Sequence, residues 1–424
     1  MDNNGPEAAK VANDGRLGLI ILILAAAILA AYCGTTLPVL ADRLRSYFSL
    51  EYGGLGMLLS AGAVGGLVAV VLVGLIAQLW DVRQLLMGIL SGIGLSYLLL
   101  GLGRNLAAFS TGLVLLGLFM AALSISVPAF LIKSYPALKR RMLTVSMISS
   151  AVPGALFPLL AQYLLGSVGA DGTNASFARL LHIPLLICGI GVLVSPVVLA
   201  ALGGNPTMNR QNERAARRIR WRDLTRVSTL GIFVLMGLHA SADEGVAKWF
   251  PMLLESQGRA LPLAPGLVLS LYSVAYFVSR LVLAALPEGY LQRLLLVLPG
   301  PVGGLLLILG VWSGNLLLMC LALPLGGLFW SLEYPVVLTE VAHRAGDEFP
   351  SWYAAAMLVF QAMGVVCVNL VGQLGQATGD LRIGISAAAA GFILFGIGSY
   401  FSSLGRDGPP LAPLEDKTSA PIRD

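Results

Sequence analysis

The stretch "GLHASADEGVAKWFPMLLES", residues 237–256, decides how this chain is read. It places His239, Asp243, Glu244 and Lys248 inside what is otherwise an apolar helical run. On a helix in water these groups would need no special explanation. Here long apolar segments flank them on both sides, so their role depends on the solvent around the helix.

Composition identifies that solvent. Of 424 residues, 57% are hydrophobic and 12% charged, with a mean hydropathy of +0.83. Soluble globular domains carry about 25% charged residues. Polar surface is therefore too scarce to face water, and a lipid bilayer is the expected surroundings. The formal charge of +5 then bears on topology, and no nucleic-acid partner is expected. Cys33, Cys188, Cys320 and Cys367 all fall in apolar runs without metal-ligand spacing. They read as small buried hydrophobes, with no metal site and no cofactor. The first sixteen residues are polar and the apolar run after Arg16 exceeds a signal-peptide core, so the first run reads as a retained span.

Apolar runs of about twenty residues, each long enough to cross roughly 30 Å of hydrocarbon, recur along the chain. They fall near 17–40, 53–78, 84–103, 106–132, 142–167, 181–203, 227–255, 263–286, 291–313, 315–342, 351–376 and 383–403, which makes twelve spans. Only Ser313, Gly314 and Asn315 separate the ninth from the tenth. With the N-terminus inside, Lys139, Arg140, Arg141 and the arginines from Arg210 to Arg226 are cytoplasmic, while the outer loops hold few basic residues. The positive-inside bias thus expects both termini in the cytoplasm and the protein in the cytoplasmic membrane. The expected organisation is an N-terminal tail (1–16), a six-helix bundle (17–203), a basic cytoplasmic linker (204–226), a second six-helix bundle (227–403) and a disordered cytoplasmic tail (404–424).

The halves resemble each other. Gly18 and Gly231 open matching runs, and Pro38 in "TLPVL" matches Pro251 in "WFPML", both 213 positions apart (231 − 18 and 251 − 38). "GLGMLLSAGAV" from Gly54 and "GLVLSLYSVAY" from Gly266 follow at an offset of 212 (266 − 54). Parallel six-span repeats suit a rocking-bundle transporter with its site between the halves near the midplane.

Twelve spans, cytoplasmic termini, a basic central loop and parallel halves together resemble the major facilitator superfamily over essentially the whole chain. That family carries a loop motif after its second span, and "GLIAQLWDVRQLL" is similar to it. Gly74 and Arg83 match, whereas Gln78 stands where the acid belongs and Asp81 is displaced. "SRLVLAALPEG" from Ser279 resembles the eighth-span pattern, and "DEGVAKWFPMLL" is similar to the seventh span of fucose-permease-like sugar:proton symporters. The fifth span, "SSAVPGALFPLL", lacks the multi-glycine motif of drug-exporting relatives. The resemblance implies an all-α membrane fold of twelve helices in two bundles and proton-driven sugar symport.

A charge near the bilayer centre costs about 2.5–3.5 kcal/mol on insertion scales, so each needs a partner or a wet cavity. Residues four apart share a helix face. Glu244 and Lys248 form one such pair; His239 and Asp243 form another, pointing roughly 140° away. One stripe is expected to face the cavity and the other a neighbouring helix. A carboxyl that alternates between desolvated and wet surroundings can take up and release a proton, which makes Asp243, Glu244 and His239 the proton-coupling candidates. Arg280 lies about six residues (roughly 9 Å) and Glu333 about nine residues (roughly 13 Å) from the cytoplasmic side, so their similar depth predicts an Arg280–Glu333 ion pair. Asp243 is expected nearer the outer leaflet, in a separate cluster. With Lys248, these charges are the gate candidates.

Tyr32 and Thr36 on the first span, Tyr272 and Tyr276 on the eighth, Trp330 on the tenth, and Gln361 and Asn369 on the eleventh are the substrate-binding candidates. Amides and hydroxyls beside aromatic rings suit a neutral polyol, although the same groups also join helices in membranes. A membrane-embedded enzyme would need a concentrated constellation, and His182, His239 and His343 are scattered. The reading is therefore a monomeric secondary transporter importing a small polar, sugar-like solute by proton symport. The alternatives are an efflux antiporter or organic-anion transporter of the same fold, with Lys248 and Arg280 able to hold a carboxylate, and a non-transporting receptor or scaffold.

Overall fold

The computed structural model describes residues 21–76, 82–134, 139–167, 174–201, 227–258, 260–286, 291–345, 349–402 and 404. The expected N-terminal tail, the basic linker, Asp81 and nearly all of the C-terminal tail lie outside these residues. Gly74 falls within a helix, and the side chain of Arg83 is likewise not described.

The first half holds α1 (Ile21–Thr36), α2 (Ala41–Tyr47), α3 (Tyr52–Ile76), α4 (Val82–Leu102), α5 (Leu106–Ser134), α6 (Lys139–Ser167) and α7 (Asn174–Ala201). The second holds α8 (Val227–Glu255), α9 (Pro265–Ala285), α10 (Gln292–Val297), α11 (Pro299–Trp312), α12 (Leu316–Trp330), α13 (Glu333–Ala345), α14 (Phe349–Thr378) and α15 (Leu381–Phe401). Ten spans among the described residues are long and apolar enough to cross a membrane, or eleven when the α1–α2 pair, bent by 68°, counts as one. The remaining expected span, the fifth, lies in α6, whose apolar part Ala151–Ser167 is shorter. Its earlier turns carry Lys139, Arg140, Arg141, Thr144, Ser146, Ser149 and Ser150.

Local chemistry explains the breaks. Pro38, which has no N–H to donate, sits at the bend between α1 and α2. Pro299 opens α11 directly after α10, dividing the ninth span. Ser331 and Leu332 divide the tenth. The narrow split at 313–315 is a tight helical hairpin: Gly314 takes φ +70°, and the Asn315 side chain accepts hydrogen bonds from Leu317 N at 2.9 Å and Leu318 N at 3.2 Å.

Burial is inverted relative to a soluble protein on the outer faces of the helices. Ile187, Ile190, Val194 and Val197 form one stripe of α7 at alternating spacings of three and four, and Val197 is 67% exposed. Such a stripe is a liability in water and the ordinary lipid-facing side of a membrane helix. Lipid is as apolar as leucine, so helices associate by close packing. A Cβ on Gly65 of α3 would stand 1.8 Å from the Val114 carbonyl of α5, and one on Gly117 of α5 would stand 1.9 Å from that of Gly62.

Within the first half α3 packs on α5 and α4 on α7; within the second α8 packs on α14 and α15, and α11 on α12. The halves meet where α3 packs on α14 and α6 on α9. The second span of each half therefore lies against the fifth span of the other, as an approximate two-fold relation requires. The contact repeats in chemical detail at the end remote from the termini. Gly53 N donates to Gln376 Oε1 at 2.9 Å, and Gly266 N donates to Gln162 Oε1 at 3.1 Å.

Candidate functional site

Between the halves lies a cavity of about 380 Å³. Its first-half wall is built from small and aliphatic residues, including Ala30, Gly34, Leu58, Gly62, Gly117 and Met120, with Thr35 and Ser124 adding hydroxyls. Its second-half wall carries Glu244, Lys248 and Gln361. One helical turn brings Lys248 Nζ to 2.8 Å from Glu244 Oε2. The two side chains are 22% and 31% exposed, so the pair borders open space and escapes the full desolvation of a core ion pair.

Beside this cavity, at the contact between α3 and α14, stands Trp249, the residue after Lys248. Its indole is fully buried and donates to the Val368 carbonyl of α14 at 2.9 Å. It also meets Tyr52 of α3 edge to face, with centroids 6.3 Å apart. Gly56 of α3 and Gly372 of α14 leave room for it: a Cβ on Gly372 would come within 2.7 Å of the ring.

The other stripe of α8 turns into the second bundle. His239 and Glu333, 3% and 0% exposed, are joined by a 2.9 Å contact between Nδ1 and Oε2. Glu333 Oε1 accepts from Gly300 N at 2.5 Å. That amide is free because Gly300 lies in the first turn of α11, between Pro299 and Pro301. Glu333 also occupies the first turn of α13, where a helix dipole favours a negative group. A histidine and two helix N-termini thus surround the carboxylate. Phe392 and Phe395 pack edge-on against the imidazole at 5.4 and 5.2 Å.

One turn along α8, Asp243 Oδ1 accepts from the Tyr272 hydroxyl and, at 3.2 Å, from Trp330 Nε1. Trp330 Nε1 also donates to Tyr276 Oη at 2.8 Å, and its ring stacks on Phe392 with centroids 4.1 Å apart. Arg280 Cζ lies 5.4 Å from the centre of the Tyr276 ring. The Arg280–Glu333 pair expected from depth does not form, because His239 and Gly300 N take both carboxylate oxygens. The expected separation into two clusters fails as well: Phe392 contacts both Trp330 and His239, so the clusters are contiguous.

The remaining candidates divide. Gln361 reaches the cavity. Asn369 instead ties the halves, donating to Ser60 Oγ at 2.7 Å. Tyr32 and Thr36 are buried; Thr36 Oγ1 donates back to the Tyr32 carbonyl at 2.8 Å, and Tyr32 packs edge-on against Phe157. Thr35 and Ser124 line the cavity and Trp249 stands beside it, none of them among the sequence-based candidates. Trp249 was visible in the aromatic–proline exit of the opening stretch, whereas nothing in the run "AALSISV" (121–127) sets Ser124 apart from Ser126.

A sequence profile described as the Major Facilitator Superfamily matches residues 21–368. No curated protein matches the sequence. Among solved structures, a D-xylose-proton symporter superposes with a TM-score of 0.71 at 12% identity, covering 92% of this chain and 98% of that one. The nucleoside transporter NupG gives 0.70 at 10% identity, covering 90% and 99%. A bacterial homolog of the human lysosomal transporter Spinster, in an inward-facing and occupied conformation, gives 0.68 at 11% identity, covering 92% and 97%.

Proposed function

This chain belongs to the major facilitator superfamily, and from that premise we propose that it is a proton-coupled secondary transporter importing a small polar, sugar-like solute across the cytoplasmic membrane by alternating access. The solute docks against Glu244, Lys248 and Gln361, and Asp243 carries the coupling proton. One observation carries the reading: an ion pair and an amide from the second half face a first-half wall that is apolar apart from the Thr35 and Ser124 hydroxyls. Polar groups concentrated on one wall bind a solute to one bundle, so relative motion of the bundles changes which side it can leave from. Asp243 lies next to Glu244 in the chain, so binding at the cavity and the ionisation of Asp243 can influence each other electrostatically. Two structural neighbours, a D-xylose-proton symporter and a nucleoside transporter, agree with a hydroxylated solute.

The test is transport by the purified protein in proteoliposomes, after a thermal-shift screen against sugars, organic acids and amphiphilic cations finds a ligand. An inward proton gradient is expected to drive accumulation of that ligand. Asp243→Asn should abolish accumulation and leave counterflow exchange intact. Binding without translocation would mark a receptor, and unchanged accumulation by Asp243→Asn would remove the proton role. A second reading, efflux of an amphiphilic compound, is favoured by the alanine, glycine, leucine and methionine wall of the first half. It predicts accumulation with the gradient reversed.

A further inference from the structure

Among the described residues, two arginines of the second bundle pair with no carboxylate: Arg293, exposed and lying over the Tyr400 ring, and Arg280, which lies farther inside the bundle. Glu333 is held by His239 and Gly300 N, Asp243 by Tyr272 and Trp330, and Glu244 by Lys248. Nearer the bundle ends, Glu340 holds Arg344 at 2.7 Å and Asp380 holds Arg382 at 2.8 Å. Arg280 lies against the ring of Tyr276, and its Nε is buried with no hydrogen-bond partner among the described residues. No described carboxylate forms an ion pair with its guanidinium: those of Glu244, Glu333, Glu340 and Asp380 are paired with other residues. A guanidinium nitrogen buried without a partner is costly, and the planar donors of a half-buried arginine match a carboxylate.

The position of Arg280 on α9 directs it to the seam between the halves. Gly266, Ser273 and Arg280 recur every seven residues and so share one stripe. The first two touch the first half: Gly266 N bonds Gln162, and a Cβ on Gly154 of α6 would come within 2.5 Å of Ser273 Oγ. Arg280 continues the stripe about 10 Å beyond Ser273, on the side away from Gly266.

We infer that Arg280 is an anion-binding residue of the transport pathway, and that the solute is a small monocarboxylate whose carboxylate docks on this guanidinium. Lys248 is already neutralised by Glu244, which leaves Arg280 as the uncommitted positive charge inside the bundle and hence a singly charged solute. The inference rests on the transporter reading and replaces a neutral sugar with an anionic solute, such as a sugar acid.

The experiment uses the full-length protein in detergent at constant ionic strength. Sodium gluconate, lactate and benzoate are compared with glucose, xylose, succinate and inorganic phosphate by thermal shift. At least one monocarboxylate is expected to raise the melting temperature, while the neutral sugars leave it unchanged. Arg280→Gln should weaken that ligand by more than about tenfold, and Arg280→Lys by less, since lysine keeps the charge without the planar fork. The inference is overturned if no monocarboxylate shifts the wild type, or if succinate or phosphate alone does. Stabilisation of wild type and Arg280→Gln by a neutral sugar to the same extent also overturns it. Should Arg280→Gln not fold, the wild-type panel and Arg280→Lys decide. Proteoliposomes separate this inference from the parent reading. Saturable uptake of a neutral solute unaffected at Arg280 defeats the inference alone, whereas Arg280-dependent binding without uptake defeats transport alone.

Discussion

Glu333 has the most demanding surroundings of any single residue described. It is an acid with no exposed surface, placed where a tenth span is interrupted, and a histidine and a glycine amide each take one of its oxygens. Removing one partner of a buried pair strands the other, at a cost of about 3–5 kcal/mol. Glu333→Ala is therefore expected to lower the melting temperature of the detergent-solubilised protein sharply. Glu333→Gln, which still accepts from Gly300 N, should cost less; equal losses would show that neither the Gly300 hydrogen bond nor the side chain's shape contributes. Gly300→Ala tests the same contact from the other side, because its Cβ would sit 2.4 Å from Glu333 Oε1. The sequence placed Glu333, Arg280 and His239 among the buried charges but chose the wrong partner for Glu333. Depth along a span is readable from residue counts; which neighbour lies across a bundle at that depth is not.

At the level of the helix, small residues govern contact and polar residues govern ends. Gly65 meets a backbone carbonyl, which cannot swing aside as a side chain can, so Gly65→Ala is expected to separate α3 from α5 and reduce folded yield. A Cβ on Gly231, by contrast, would meet nothing within 4 Å. There the better helix propensity of alanine should leave stability unchanged or raise it by up to about 1 kcal/mol. Equal losses at both sites, measured by thermal unfolding, would refute the packing argument. Asp380 caps α15, accepting from Arg382 N at 2.9 Å, and the Arg382 guanidinium beside it holds its carboxyl below the usual carboxylate range. A depressed folded-state pKa means the cap's contribution is present above the ordinary carboxylate value and lost as pH falls through the depressed one. Asp380→Ala should cost about 1 kcal/mol at neutral pH, with the difference from wild type vanishing in acid.

For the molecule as a whole, the two halves are tied by the same device twice. Gly53 and Gly266, 213 positions apart (266 − 53), each donate an amide N–H to a glutamine of the opposite half, Gln376 and Gln162. Both ties lie at the end away from the termini, so they hold the halves together there. Each is worth about 1 kcal/mol, or roughly a fivefold population ratio. Gln162→Ala and Gln376→Ala are each expected to shift the protein toward the state open at that face, and the double variant should shift it further. Spin-label distances across the face would report the shift, and an unchanged distribution in the double variant would dispose of the idea.

The sequence by itself determined the solvent, the all-helical class, the repeat and the existence of buried charge, because hydropathy, span length and an offset near 213 are properties of the chain read in order. The Glu244–Lys248 contact belongs with these, since a spacing of four on one helix suffices to make it. Only the tertiary structure decided which stripe of α8 faces the cavity, that His239 and not Arg280 holds Glu333, and that Tyr32 and Thr36 turn away from the site. Those outcomes depend on the rotation of each helix about its axis and on where spans break, which packing between distant segments sets and no local pattern encodes.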